Sequence, residues 1–134
     1  MSYSISREMD FCYGHRLPSH GGKCRFLHGH NGHVVITIQA ETLTEGGMVM
    51  DFGEIRSGIE AWIDSELDHH TILFKDDPLV TILRDAGQKI VEMDSIPTAE
   101  NIAELIFRKA RSMKLNVTQV QVWETARNAA AFSE

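Results

Sequence analysis

Residues 24–40 read CRFLHGHNGHVVITIQA, in which a cysteine and three histidines lead into an apolar run. The second half, His33 to Ala40, is rich in β-branched residues and predicts a strand. His28 and His30 come directly before it. In an extended chain, side chains two residues apart point to the same face. If the chain is already extended at these two residues, both imidazoles project toward one point.

A second strand precedes this segment. Tyr3, Ile5, Met9 and Phe11 fall on odd positions, with polar residues between most of them. That alternation predicts a half-buried strand that ends near Gly14.

Helices and further strands are predicted downstream. A carboxylate at Asp51 with Glu54 three residues later is typical of a capping box, and it predicts the start of a helix. The order of elements, ββααβαβ, predicts one α+β domain over residues 1–134, with an antiparallel sheet covered on one face by helices. The unpaired edges of such a sheet favour oligomerisation. The other predicted elements are a short helix from Asp77–Pro78 to Gly87, a helix from Pro97, and strands at Lys89–Met93 and Val117–Trp123.

The composition excludes several classes of protein. Hydrophobic residues make up 43% and charged residues 24% of the chain, as in ordinary globular domains. The formal net charge of −6 argues against non-specific nucleic-acid binding, because phosphates require a basic surplus. No apolar run is long enough to cross a bilayer, and the first residues carry charges where a signal peptide needs an apolar core. Two cysteines do not make a disulfide scaffold, so we expect a cytoplasmic protein with free thiols and no membrane partner.

The histidines predict a metal site. His15 lies at the end of the first predicted strand, and antiparallel pairing would place it beside His28 and His30 at the start of the next. Three neutral imidazoles are the ligands that zinc takes in open catalytic sites, with the fourth position left for water or substrate. Gly29 would let the backbone come close to the metal. The alternative is that His-Gly-His forms a solvated turn.

Cys24 allows two interpretations. It is either a fourth zinc ligand in a closed structural centre or a reactive thiol near the metal. Lys23 and Arg25 flank it, and positive neighbours favour the thiolate, so we prefer an acid/base or nucleophilic role. Cys12, within the first strand, is predicted to be a small buried hydrophobe.

Three acidic positions each have a structural alternative. Asp68-His69 has the residue types of an oriented general acid/base, but Asp68 could equally cap a local turn. Glu124 follows the last predicted strand, where it could bind a ring with adjacent N–H and amino donors or stand on the surface. Glu100, in the first turn of a helix, is explained by the helix dipole. No role is predicted for His20, His33 or His70.

These segments together resemble the 6-pyruvoyl-tetrahydropterin synthase / 6-carboxytetrahydropterin synthase family, over nearly the whole chain. The resemblance implies a T-fold, in which subunits join their sheets into a barrel-like homo-oligomer with active sites at the interfaces. The matching segments are FCYGHRL (11–17), GKCRFLHGHN (22–31), GMVMDFGEI (47–55), LDHHTI (67–72), PTAENIA (97–103) and WET (123–125).

The resemblance also implies roles for individual residues. Zinc would be held at the positions that match the family's metal ligands. A catalytic cysteine and an Asp-His pair would relay protons, and a glutamate would anchor the pterin ring. The matching positions are His15, His28 and His30 for zinc, Cys24, Asp68 and His69 for catalysis, and Glu124, with Glu100 and Thr98, for the pterin pocket.

One spacing bears on the substrate. Only residues 25–27 separate Cys24 from the His-Gly-His segment, which is similar to bacterial 6-carboxytetrahydropterin synthases of queuosine biosynthesis, whereas animal-type 6-pyruvoyl enzymes have a longer gap. The implied reaction converts 7,8-dihydroneopterin triphosphate to 6-carboxytetrahydropterin, acetaldehyde and triphosphate. Two alternatives remain: elimination of triphosphate without carbon–carbon cleavage, and a non-catalytic zinc or pterin-binding protein. Lys23, Arg25 and Arg16 are possible phosphate partners, and Gly32-His33, His70 and Ala99 depart from the family pattern.

Overall fold

Two long strands, β1 (Tyr3–His15) and β2 (His28–Ala40), form the centre of the fold. The structure is a computed structural model that describes residues 1–134. The strands pair antiparallel along their whole length, from Tyr3 opposite Ala40 to His15 opposite His28. β2 therefore begins five residues before the predicted strand. The His-Gly-His segment forms the first three residues of β2 and is extended, not a loop.

The sheet has six strands in the order β4-β3-β1-β2-β5-β6. β2, β5 and β6 pair antiparallel, but β1 with β3 and β3 with β4 pair parallel. The predicted antiparallel pairing therefore holds for β1, β2, β5 and β6, whereas β3 and β4 join the sheet by parallel pairing. Between β3 and β4 the helix α3 (Leu79–Asp85) returns the chain, which is how parallel neighbours are connected. The other strands are β3 (His70–Phe74), β4 (Ile90–Met93), β5 (Val117–Trp123) and β6 (Ala129–Ser133).

The helices cover one face of the sheet. The segments α1 (Phe52–Ile55), a π-helical turn (Arg56–Glu60) and α2 (Ala61–Glu66) follow one another without a gap, and α4 (Ala99–Ser112) packs over β5 and β6. Their apolar residues recur at helical spacing and meet the inward side chains of β1 and β2. The core includes Ile55, Ile59, Ile63, Ile102 and Ile106 from the helices and Phe11, Tyr13, Val34 and Ile36 from the strands.

The predicted helix starts are confirmed. The Asp51 carboxylate accepts a hydrogen bond from the Gly53 amide at 2.7 Å. Gly87, just beyond α3, has φ of +80°, a left-handed conformation that suits glycine after a helix. None of the helices combines the length and apolar character that crossing a bilayer would need.

β3 and β6 were not predicted. β6 is mostly alanine, which has a low strand propensity, so its conformation depends on its pairing with β5. The one large residue in it, Phe132, packs edge-on against Phe107 of α4, with ring centroids 4.9 Å apart. Tertiary contacts rather than local sequence therefore make this strand.

An ion pair ties the end of β1 to the start of α3. The Arg16 guanidinium donates from Nε to the buried Asp77 carboxylate at 2.7 Å, and that carboxylate also accepts from the Leu79 amide at 2.9 Å. Burial alone would raise the pKa of Asp77, but these bonds hold it below its ordinary value. Two nitrogens of the Arg16 guanidinium, Nε and Nη2, thus donate to an internal partner.

Candidate active site

Three imidazoles converge at one end of the central strand pair. His15 ends β1, His28 begins β2 directly opposite it, and His30 follows two residues later on the same face. One nitrogen of each ring lies within 4.8 Å of the others. The ring centroids are 4.6 to 5.1 Å apart. A single cation at the centre would therefore be within reach of all three rings.

Backbone carbonyls orient two of these rings. Nδ1 of His15 lies 2.7 Å from the Pro97 carbonyl, and Nδ1 of His28 lies 2.7 Å from the Phe26 carbonyl. Because a carbonyl only accepts, Nδ1 must carry the proton in both rings. Nε2 is then left with a lone pair for a metal, the arrangement usual in metal-binding histidines.

The fit of a cation rests on an atom without a partner. Nε2 of His15 is buried and makes no hydrogen bond within the protein. Such atoms are rare in folded proteins, because burial removes water without supplying a substitute. Burial also lowers the pKa of His15, and the hydrogen bond to Pro97 only partly offsets this. The ring is thus neutral, as a metal ligand must be, and the three residues fit a divalent metal ion.

Gly29 between the two β2 histidines meets a close neighbour. A Cβ at this position would lie 2.8 Å from the Tyr13 carbonyl oxygen. The absence of a side chain therefore lets β2 approach the backbone of β1, which aligns the histidines. This differs from the expectation that Gly29 clears space next to the metal.

Glu124 lies beside the histidine cluster. Its carboxylate oxygens are 3.8 Å from Nε2 of His15 and 4.0 Å from Nε2 of His30, and its side chain is 26% exposed. The amide of Glu124 donates to the Asn128 carbonyl at 3.0 Å, which closes the turn between β5 and β6. The fold thus brings this carboxylate to the histidine cluster, a position that the sequence pattern alone left open.

The other two predicted pocket residues lie at the start of α4. Glu100 shares with Glu124 the lining of a small cavity of about 90 Å³. The Thr98 hydroxyl accepts from the Asn101 amide at 3.2 Å and so caps α4. Thr98 therefore has a structural task, whereas the Glu100 carboxylate is exposed.

Asp68 and His69 form an oriented pair. The Asp68 carboxylate lies 2.8 Å from Nδ1 of His69 and also accepts from the Cys12 amide at 2.8 Å. The His69 amide in turn donates to the Cys12 carbonyl at 2.7 Å. The hydrogen bond from the Cys12 amide is the main cause that lowers the pKa of Asp68, and the bond with His69 lowers this pKa further. The carboxylate stays ionised and presents Nε2 of an imidazole that is 75% exposed.

Cys12 is exposed, so the prediction that it is buried is wrong. It occupies an even position of β1, and its thiol lies 2.9 Å from the Asn31 side chain on the face away from the helices. Alternation along a strand explains this placement, since Phe11 and Tyr13 take the buried face. Cys12, His69, His28 and His30 all line one open cleft of about 580 Å³.

Cys24 belongs to neither group of residues. It lies half-buried in a short 3₁₀ turn, Lys23–Arg25, and its carbonyl accepts from the Leu17 amide at 2.8 Å. Its sulfur is not among the donor atoms that converge at the histidine cluster, nor does Cys24 line the cleft with His69. Within one chain, the thiol and the Asp68-His69 pair are not brought together.

The remaining histidines have local partners. His33 faces away from the cluster, as predicted, and lies 2.7 Å from Asp10 and 2.8 Å from Glu8. Both carboxylates raise the pKa of His33, and the hydrogen bond with Glu8 has the larger effect. Nδ1 of His20 accepts from the Gly22 amide, and Nδ1 of His70 lies near the Asp68 carbonyl.

Comparison with known proteins agrees with this geometry. A family model described as 6-pyruvoyl tetrahydropterin synthase matches residues 4–134. The chain is 41% identical over 127 residues to the 6-carboxy-5,6,7,8-tetrahydropterin synthase of Rickettsia typhi, covering 90% of this chain and 92% of that protein. The enzyme of the same name from Haemophilus influenzae is 29% identical over 140 residues, with 98% and 99% covered.

Solved structures share the fold. An uncharacterized protein of Wolinella succinogenes superposes with a TM-score of 0.83 at 28% identity, covering 100% of this chain and 99% of that one. The 6-pyruvoyl tetrahydropterin synthase of Caenorhabditis elegans gives 0.76 at 23% identity, with 100% and 96% covered, which shows the fold alone.

A mixed sheet with helices on one face, matching these structures, is a T-fold. The chain belongs to the 6-pyruvoyl tetrahydropterin synthase family. The resemblance drawn from the sequence motifs is thereby confirmed.

Proposed function

We propose that this enzyme is a zinc-dependent 6-carboxy-5,6,7,8-tetrahydropterin synthase. It would convert 7,8-dihydroneopterin triphosphate and one water to 6-carboxytetrahydropterin, acetaldehyde and triphosphate, an early step of queuosine biosynthesis. The observation that carries the proposal is the convergence of His15, His28 and His30, with the lone pair of His15 Nε2 buried and unpartnered. Two relatives named for this reaction, at 41% and 39% identity, support the choice of substrate.

Zn²⁺ would be held by His15, His28 and His30 in this proposal. Bound there, it would supply Lewis acidity toward the side-chain oxygens of the substrate, making nearby protons easier to remove. Three imidazoles leave a coordination position for the substrate. The carbonyls of Pro97 and Phe26 keep two of the rings in the required tautomer.

Glu124 would anchor the pterin ring. Its carboxylate can accept two parallel hydrogen bonds from the adjacent ring N–H and amino group. The Glu124 carboxylate lies about 4 Å from Nε2 of His15 and of His30. A pterin ring bound to this carboxylate would therefore lie next to the metal, with the side chain of the substrate directed toward the metal. Glu100, which lines the neighbouring cavity with Glu124, and Thr98 would border the same pocket.

His69 and Cys24 would move protons on the two sides of the substrate, with Asp68 orienting His69. Since one chain does not bring Cys24 and His69 together, we propose that a neighbouring subunit completes the site. The free outer edges of β4 and β6 are suited to joining sheets between subunits of a homo-oligomer, each subunit being one T-fold domain of residues 1–134.

Product analysis tests the reaction. The protein is stripped of metal, reloaded with zinc, and incubated with 7,8-dihydroneopterin triphosphate, with the metal-free protein as control. We expect 6-carboxytetrahydropterin, acetaldehyde and triphosphate in equal amounts, and only from the zinc-loaded protein. Triphosphate without acetaldehyde would favour 6-pyruvoyl-tetrahydropterin formation. Binding without turnover would favour a non-catalytic pterin-binding protein, although Cys24 is not among the residues whose ligand atoms converge at the cluster, as a closed site would require.

A further inference from the structure

The carbonyl that orients His15 belongs to a distant part of the chain. Nδ1 of His15 lies 2.7 Å from the Pro97 carbonyl, which is 82 residues away in sequence. His28 instead uses the carbonyl of Phe26, only two residues before it. A partner two residues away is placed by the local backbone, whereas the direction of the Pro97 carbonyl has to be set by the turn that carries it. The orientation of His15 therefore depends on how that turn is held.

Pro97 is the middle residue of a tight three-residue turn. The Thr98 amide donates to the Ile96 carbonyl at 2.8 Å, a bond that closes a γ-turn around Pro97. The Pro97 carbonyl and the Thr98 N–H belong to one planar trans peptide group, so they point in opposite directions. With the Thr98 N–H directed at Ile96, the Pro97 carbonyl points to the other side, where His15 lies.

The side chain of Asn101 holds this turn. Its amide nitrogen, Nδ2, lies 2.8 Å from the Ile96 carbonyl, which thus accepts two hydrogen bonds. Because a carbonyl only accepts, the NH2 end of the Asn101 amide must face it. Asn101 is half-buried in the first turn of α4. It therefore links a helix to the turn that carries the Pro97 carbonyl.

Helix capping does not account for this side chain. The cap of α4 is the Thr98 hydroxyl, which accepts from the Asn101 backbone amide at 3.2 Å. The Nδ2 donor of Asn101 instead reaches a carbonyl that precedes the cap. That carbonyl already has a partner in the Thr98 amide, so it does not need a second bond to be satisfied. The second bond adds a fixed orientation of the turn, and with it a fixed direction of the Pro97 carbonyl.

We propose that Asn101 is a positioning residue for the metal site: its side-chain amide fixes the turn at residues 96–98, and the Pro97 carbonyl in that turn holds His15 with Nε2 free for the cation. Asn101 has this role only if His15 is a metal ligand, so the inference rests on the proposed function. A ligand ring that is already oriented loses less freedom when it binds a metal. Asn101 would therefore strengthen zinc binding without touching the metal.

The zinc affinity of the full chain, measured by competition with a chelator, tests this role. Asn101→Asp keeps the size of the side chain but removes the donor, since a carboxylate only accepts. We expect roughly tenfold weaker zinc binding, the lower end of the loss usual for the partners of metal-ligating histidines. A carboxylate in the first turn favours a helix through its dipole, so a weakened α4 would not explain the loss. Asn101→Ala removes the donor without adding charge and should show the same loss.

Asn116→Asp is the matched control. Asn116 makes the same type of bond, from Nδ2 to the Gln39 carbonyl at 2.7 Å, at the opposite end of β2 from His28. Loss of that bond should lower the free energy of unfolding and leave zinc affinity unchanged.

The imidazole ¹⁵N chemical shifts of the metal-free protein give a second measurement, at a pH where the ring is neutral. In the parent and in Asn116→Asp, His15 should carry its proton on Nδ1 alone. In Asn101→Asp the two tautomers should be mixed, because the Pro97 carbonyl no longer has a fixed direction. The shifts of the two ring nitrogens should then move toward each other.

Parent-like zinc affinity in either Asn101 variant, or an equal loss in Asn116→Asp, would overturn the proposal. Weaker zinc binding with the His15 tautomer unchanged would also overturn it, because the effect would then not act through this ring. If the parent binds no zinc, or His15→Ala binds zinc as tightly as the parent, the proposed function fails and this inference with it.

Discussion

His15 and His28 lie directly opposite each other across β1 and β2, with ring centroids 4.6 Å apart. This pairing makes the metal site a property of strand register, since a slip of one residue would turn one ring to the other face. Replacing His28 by Ala should lower zinc affinity by more than about 100-fold, because only two ligands remain. Zinc content after dialysis measures this.

His33→Ala is the matched control for that variant. His33 lies on the same strand but faces away, against Glu8 and Asp10. Zinc content should be unchanged. Equal loss in both variants would mean that general disturbance of β2, rather than ligand removal, releases the metal.

Cys24→Ala separates the two roles considered for the thiol. Because its sulfur lies outside the histidine cluster, we expect full zinc content and loss of turnover by a factor of at least about 100. Metal analysis and product formation are measured on the same sample. Loss of zinc together with activity would instead make Cys24 a ligand.

Asp68→Asn tests the oriented imidazole. An amide can still accept from the Cys12 amide, but it no longer supports the protonated form of His69 or its tautomer. Turnover should fall by roughly 100-fold or more with zinc content intact. Asp64→Asn, at an exposed position of α2, is the control and should keep full activity. An Asp68→Asn enzyme as fast as the parent would remove this pair from the mechanism.

Gly29→Ala tests the close approach of β2 to β1. The added Cβ would meet the Tyr13 carbonyl oxygen at 2.8 Å, and backbone cannot move aside as easily as a flexible side chain. The free energy of unfolding should fall by about 1–3 kcal/mol, with weaker zinc binding, because the strand pair is forced apart at the histidines. Gly21→Ala, where a Cβ would have nothing within 4 Å, should be nearly neutral in both measurements. Similar effects of the two substitutions would contradict this reasoning.

The Arg16–Asp77 pair predicts an acid-sensitive contribution to stability. The pKa of Asp77 lies below its ordinary value of 3.8, so the contribution is fully present above about pH 4 and lost as the pH falls through the folded pKa. Asp77→Ala should reduce the free energy of unfolding by about 3 kcal/mol at neutral pH, since it leaves Arg16 unpaired. The difference from the parent protein should shrink below pH 4. Chemical denaturation across this pH range measures the free energy of unfolding of both proteins. Asp76→Ala, at the exposed neighbouring position, is the control and should change this free energy by less than about 0.5 kcal/mol.

Much of the site follows from strand periodicity. The convergence of His15, His28 and His30 could be predicted for two reasons. Side chains alternate between the two faces of an extended chain, which places His28 and His30 on one face, and antiparallel pairing of the two strands places His15 beside them. The position of Glu124 required the register of β5 against β2, which no local pattern contains. The same holds for Asp68-His69, whose geometry depends on backbone bonds to Cys12, 56 residues away in the chain.

The missed features depend on long-range contacts. β3 and β6 are short strands formed by pairing with neighbours, and parallel pairing of β3 follows from the helical crossover. Residue type alone predicts a buried Cys12, but the strand turns it outward. The buried position of Tyr13 follows from the same alternation, yet its ring has space only because Gly32, opposite Phe11 on β2, carries no side chain.

Zinc K-edge X-ray absorption on the reloaded protein tests the metal site most directly. Three histidine nitrogens and one further light atom, at roughly 2.0–2.1 Å and without sulfur, are the predicted coordination shell. A sulfur scatterer near about 2.3 Å, or fewer than three imidazoles, would contradict an open site formed by His15, His28 and His30.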